Sequence, residues 1–222
     1  MKKILYFIIA AIPFCSCSLS NKNKVETLID ESMKKILYHV ESYDPIETRL
    51  DSAFSPFDDP VFYDKTLKLC KLSAEIEKCN RSMKSAKSEM ARYKDYLNIL
   101  YSNEDKEKYN QAKEKYEDYI HKQRGLIEKA KITSENLKSE LQKEQRFIGM
   151  KAWHRYRAKN NNGQIVIGEM KFLFDKNLTQ VIDAWDMDSE EYKMVQMAYK
   201  QMRGEEVFPE DLGEDYVDYD FE

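Results

Sequence analysis

The sequence predicts an α+β fold, mostly α: a long antiparallel helical hairpin (a coiled coil) followed by a small three-stranded meander plus one helix. Three observations predict it. Charged residues make up 34% of the chain while Gly and Pro number only six and five, which favours long helices over a loop-rich β fold. Between residues 63 and 101 apolar residues return every seven. After residue 147 the period shifts to two, with Asn-Gly turn chemistry between the alternating runs.

A short polar tether, Ser18 to Lys24, leads to a first predicted helix at about 24–43, where Val25, Leu28, Ile29, Met33, Ile36, Leu37 and Val40 make one stripe. That helix could lie along part of the hairpin. Pro45, Pro56 and Pro60 then forbid a continuous helix, so the segment up to residue 62 reads as an ordered strap. From Tyr63 to Tyr101 one long helix carries two heptad series. They are Leu69, Ile76, Met83, Met90, Leu97 and Leu72, Cys79, Ala86, Tyr93, Leu100, all uncharged.

Ser102 or Asn103 can cap the next helix, with Glu104 and Asp105 at its positive end. It runs to about Arg146. Its stripe is Tyr109, Ala112, Tyr116, Tyr119, Ile120, Ile127, Ala130, Leu137 and Leu141. A turn near Asn103 sets Leu97 against Tyr109, Met90 against Tyr116, Cys79 against Ile127, Ile76 against Ala130 and Leu69 against Leu137. Residues 147–159, 164–175 and 178–186 read as three strands, the first two joined by the Asn-Gly turn at 160–163. Three strands need a cover on one face. The amphipathic helix from about Met187 to Met202, or the foot of the hairpin, could supply it. The implied segments are 1–17, 18–62, 63–146, 147–203 and 204–222.

The first residues have the layout of an export signal: Lys2 and Lys3, then an uncharged apolar run from Ile4 to Phe14. Eleven residues at about 1.5 Å each reach about 16 Å, too short to span a bilayer core of about 30 Å. Cys17 follows Ser16, Cys15 and Phe14. This segment resembles that of bacterial lipoprotein precursors, whose box places a small residue just before the lipidated cysteine. Phe14 stands where that family usually has an aliphatic residue. The resemblance implies cleavage before Cys17, lipid attachment at Cys17 and a membrane-anchored place in the bacterial cell envelope. Ser18 suits the outer membrane rather than the inner. The hairpin is also similar to that of periplasmic adaptor proteins in efflux systems. That family flanks its hairpin with strands on both sides, whereas this sequence shows strands only after it, so the identity is not adopted.

Without Lys2 and Lys3 the net charge moves from −4 to −6, and nine acids in 204–222 leave the rest near +3. No basic footprint for nucleic acid is present. The acidic, aromatic tail is expected to order only when bound, to a basic partner surface or to the chain's own strand. Cys70 and Cys79 sit nine residues apart on one predicted helix, about 13.5 Å along it and on opposite faces, so no bridge between them is expected. A bridge between chains through Cys70 stays open.

His39, His121 and His154 fall in three different elements, with no zinc-type spacing, phosphate loop or nucleophile elbow. The sequence therefore points to no enzyme and no cofactor. It suggests a tethered structural or interaction module with a protein partner in the envelope, and self-association through the coiled coil as a further option. The alternative is a ligand-binding envelope protein. On a strand, Trp153, Arg155 and Arg157 would share one face, either a surface for an anionic glycan or peptide or a half-exposed edge.

Overall fold

A computed structural model describes residues 15–99 and 102–205, the side chains of 15–20 and 97–99 excepted. The export segment 1–14, the side chain of Cys17, the seam positions Leu97 and Leu100 and the tail from residue 206 lie outside the described residues. The elements are α1 (Cys15–Ile36), β1 (His39–Phe54), α2 (Pro60–Ile99), α3 (Asn103–Leu141), β2 (Phe147–Lys159), β3 (Ile165–Phe174), β4 (Val181–Asp186) and α4 (Glu190–Met202). The fold is α+β. None of the described helices is long and apolar enough to cross a membrane. The chain divides into two compact units, Met1–Phe54 with Phe147–Asp188, and Ser55–Arg146 with Ser189–Glu222.

The first unit is a four-stranded antiparallel sheet in the order β1-β2-β3-β4. β2, β3 and β4 are the expected meander, and their turn chemistry is in place. Gly163 takes φ +76° and donates to the Asn160 carbonyl at 2.8 Å, while Asn160 Oδ1 accepts from the backbone of Asn162 and Gln164. β1 is a correction. The expected helix ends at Ile36, seven residues early, and a 16-residue strand, His39–Phe54, takes up its last residues and much of the expected strap. The prolines do forbid a helix, but Pro45 lies on an edge strand beside a register irregularity, where a missing N–H is tolerated. The ladder with β2 is irregular on both sides of Asp44–Pro45. A strand therefore does precede the hairpin in the chain, and it pairs with the strand that follows it.

Within this unit the cover on the sheet is α1. Val25, Ile29 and Met33, one turn apart, pack with Ala152, Met170, Phe172, Phe174 and Leu178. At the start of β2, Gly149 meets the end of β3 so closely that an added Cβ would lie 2.1 Å from the Phe174 carbonyl oxygen. Only glycine fits there.

The second unit holds α2, α3 and α4. Pro60 opens α2, where its missing N–H costs nothing, and Asp59 Oδ1 accepts from Val61 N at 2.9 Å. α2 and α3 pack along one another and run antiparallel. Lys65 Nζ meets Glu140 Oε1 at 3.9 Å, and farther along the hairpin Gln123 donates to Asn80. Ser55 N donates to the Arg146 carbonyl at 3.0 Å and ties the two ends of this stretch. Leu72, Cys79 and Ala86 are buried, and Ile76, Met83, Met90 and Tyr93 are half-buried, as the heptads require.

On α3 one seam position differs from expectation. Leu126 packs with Leu72 and Cys79, while Ile127 is 47% exposed. The reason is that polar residues occupy seam positions. Ala112, Tyr119, Leu126 and Thr133 recur every seven residues with Leu137 one turn further on, and Thr133 can sit inside because its hydroxyl donates to the Lys129 carbonyl at 2.8 Å. α4 is capped by Ser189, whose hydroxyl accepts from Tyr192 N at 3.2 Å. Its buried Tyr192, Val195 and Tyr199 face α2, with the Tyr199 ring edge-on to Phe57 and tilted against Phe62.

Candidate functional site

The alternation of β2 puts Trp153, Arg155 and Arg157 on one face of the sheet, as expected, and His154 on the other. Cross-strand register builds the first face in rows. Arg49, Trp153, Lys171 and Trp185 stand side by side across all four strands. The Arg49 guanidinium lies 4.7 Å from the centre of Trp153, and Lys171 Nζ lies 5.6 Å from that of Trp185. The next row is Glu47, Arg155 and Glu169, followed by Asp44, Arg157 and Ile167, with Asp51, Lys151, Leu173 and Asp183 on the far side.

Carboxylates accompany the cations in these rows. Glu169 accepts from Trp153 Nε1 at 3.1 Å and sits 3.7 Å from Arg155. Arg49 pairs with Glu47 at 2.7 Å and Arg157 with Asp44 at 3.3 Å. Five basic side chains thus share the rows with five acidic ones. An anionic ligand would have to displace carboxylates already in place, so the rows supply cross-strand support better than an anion site.

The other face carries a feature the sequence hid. His154 is 1% exposed and fully hydrogen-bonded. Its Nε2 lies 2.9 Å from the Tyr43 hydroxyl, its Nδ1 lies 2.9 Å from Thr48 Oγ1, and Tyr43 donates to Asp30 Oδ1 at 3.2 Å. The proton positions follow from counting. An ionised carboxylate only accepts, so the single Tyr43 proton goes to Asp30. His154 Nε2 then donates to Tyr43, and in the neutral ring that burial favours Nδ1 accepts from Thr48. The hydrogen-bonded chain Thr48–His154–Tyr43–Asp30 links β1, β2 and α1.

Electrostatics agree with this assignment. Burial pushes His154 below the ordinary imidazole value, although the Asp30 charge acts in the opposite direction. Burial, and then the neighbouring Asp30, push the Tyr43 hydroxyl far up. Tyr156 stacks on His154 with ring centres 5.9 Å apart, and Phe172 closes the edge at 6.1 Å. A cleft of about 570 Å³ opens beside the chain, with Lys22, Glu26, Asp30, Glu47 and Thr48 on its wall.

The arrangement can hold α1 on the sheet and respond to protons. Among the described residues no group of three or more His, Cys, Asp or Glu could hold a metal ion. His39 opens β1 beside Glu41, His121 is exposed on α3, and Cys70 and Cys79 carry free thiols, the second inside the α2–α3 seam. No family model, curated protein or solved structure matches the chain.

Proposed function

We propose that this chain is a bacterial envelope lipoprotein, cleaved before Cys17, lipidated there and held at a membrane, more consistent with the outer than the inner one. Its body works as a non-enzymatic structural or interaction module with a protein partner in the envelope. The export reading rests on Lys2, Lys3, the apolar run to Phe14 and the small Ser16 before Cys17. The interaction reading rests on one observation about the hairpin. Its helices are 40 and 39 residues long, about 60 Å at 1.5 Å per residue. Besides the seam, large apolar side chains stand on its surface: Tyr96 at 48%, Ile127 at 47% and Ile132 at 52% exposure. We read the hairpin as a two-stranded coiled coil able to take a further helix from a partner or from a second copy.

A photo-crosslinking residue at Tyr96 or Ile132 in intact cells tests this. The expected result is one discrete adduct, absent when the probe replaces exposed Glu117. No adduct, or the same smear from all three positions, would sink it. The second reading, a ligand-binding envelope protein, is favoured only by the cleft beside His154.

A further inference from the structure

α4 and α2 leave a groove between them of about 490 Å³, with Leu69 and Cys70 on one side and Met194, Met197 and Met202 on the other. Methionines are flexible and polarisable, so such a wall moulds itself to an apolar side chain. The chain leaves α4 at the edge of this groove. Gly204 takes φ +73°, Gly204 N donates to the Gln201 carbonyl and Glu205 N to the Lys200 carbonyl, both at 3.0 Å. This Schellman-type ending bends the chain off the helix axis two residues after Met202.

The next residues are Glu206, Val207, Phe208, Pro209, Glu210, Asp211 and Leu212. From Met202 back to Met194 is about 12 Å along α4, and seven extended residues reach about 23 Å, so this stretch can cover the groove from its point of departure. Charge agrees as well. The segment is acidic, and exposed Lys68 and Lys193 neighbour Leu69 and Met194 in the chain.

We propose that the Met-lined groove between α2 and α4 binds the chain's own segment 206–212, with Phe208 and Leu212 as its apolar anchors. The groove is then an intramolecular docking site that a competing partner must open.

Cys70 provides the readout. It is half-buried in the groove wall, its Sγ 4.0 Å from the Met194 carbonyl, so a docked segment shields it. Alkylation by N-ethylmaleimide is followed at Cys70 by peptide mass in the full chain and in the full chain carrying F208S and L212S. Cys79, 2% exposed, reports any unfolding. The expected result is that Cys70 reacts on the order of tenfold faster in the substituted chain, the ratio for a segment docked nine-tenths of the time. Added peptide 206–222 restores protection there. Equal rates in the two chains overturn the proposal. Protection that grows with protein concentration also overturns it, in favour of a second copy. If Cys79 becomes reactive, the milder F208L replaces the pair, and the same two outcomes decide.

Discussion

Tyr43→Phe removes one oxygen atom and leaves the ring that packs between His154 and Tyr156. His154 Nε2–H then has no acceptor in a site almost closed to water, while Asp30, half-buried at the cleft, can turn to solvent. A buried donor left unpaired costs about 1–3 kcal/mol. The expected loss is therefore about 2 kcal/mol, or roughly 8–16 °C for a unit of under 100 residues. Urea unfolding followed by tryptophan emission isolates the effect, because Trp153 and Trp185, the chain's two tryptophans, both lie in the sheet unit.

The same chain sets a pH dependence. The folded value of His154 lies below the unfolded value of about 6.5. Between the two, the unfolded chain binds the proton and the folded chain does not. His154 therefore contributes its full stability above about pH 6.5 and loses it as pH falls through the folded value, at no more than about 1.4 kcal/mol per pH unit. H154L, or H154Q if the first folds poorly, should flatten the profile between pH 7.5 and 5.5. A Y43F protein within 0.5 kcal/mol of the parent, or an H154L profile parallel to it, would refute the network.

Three further outcomes follow from the packing. L126A should cost about 2–5 kcal/mol, the range for emptying a buried leucine site, while I127A stays within about 0.5 kcal/mol as an outward substitution. Helix melting by circular dichroism compares them, and equal losses would contradict the seam. G149A should destabilise the sheet unit by at least about 2 kcal/mol, since the added methyl meets the Phe174 carbonyl rather than a movable side chain. An unchanged tryptophan-monitored midpoint would show that the backbone there can give way. Polyanionic glycans should leave tryptophan emission unmoved at moderate salt, because the cations in the Trp153 rows stand among carboxylates. A saturable shift would restore the anion-site reading.

Periodicity made much of this fold legible. Heptads placed α2, α3 and most of their seam, and alternation with Asn-Gly turns placed β2 and β3. The failures have physical causes. β1 was hidden because Pro45 and Pro56 argue against helix but say nothing of an edge strand, where Pro45 is tolerated. Leu126 is hidden in the sequence because a seam that accommodates Thr133 and Gln123 does not look apolar. The face of Trp153, Arg155 and Arg157 was readable, but its neutrality was not, since Glu47, Asp44 and Glu169 reach it only through register. The His154 chain joins residues up to 124 positions apart, and only pairing of β1 with β2 brings them together. One signal was present: a histidine flanked by apolar residues on the inward side of a strand needs partners for both nitrogens.

The mass of the mature protein from a membrane fraction tests the central proposal most directly. The account predicts a chain beginning at Cys17, heavier than residues 17–222 by a set of acyl chains and released into the soluble fraction by C17S. An unmodified chain beginning at Met1 would contradict it.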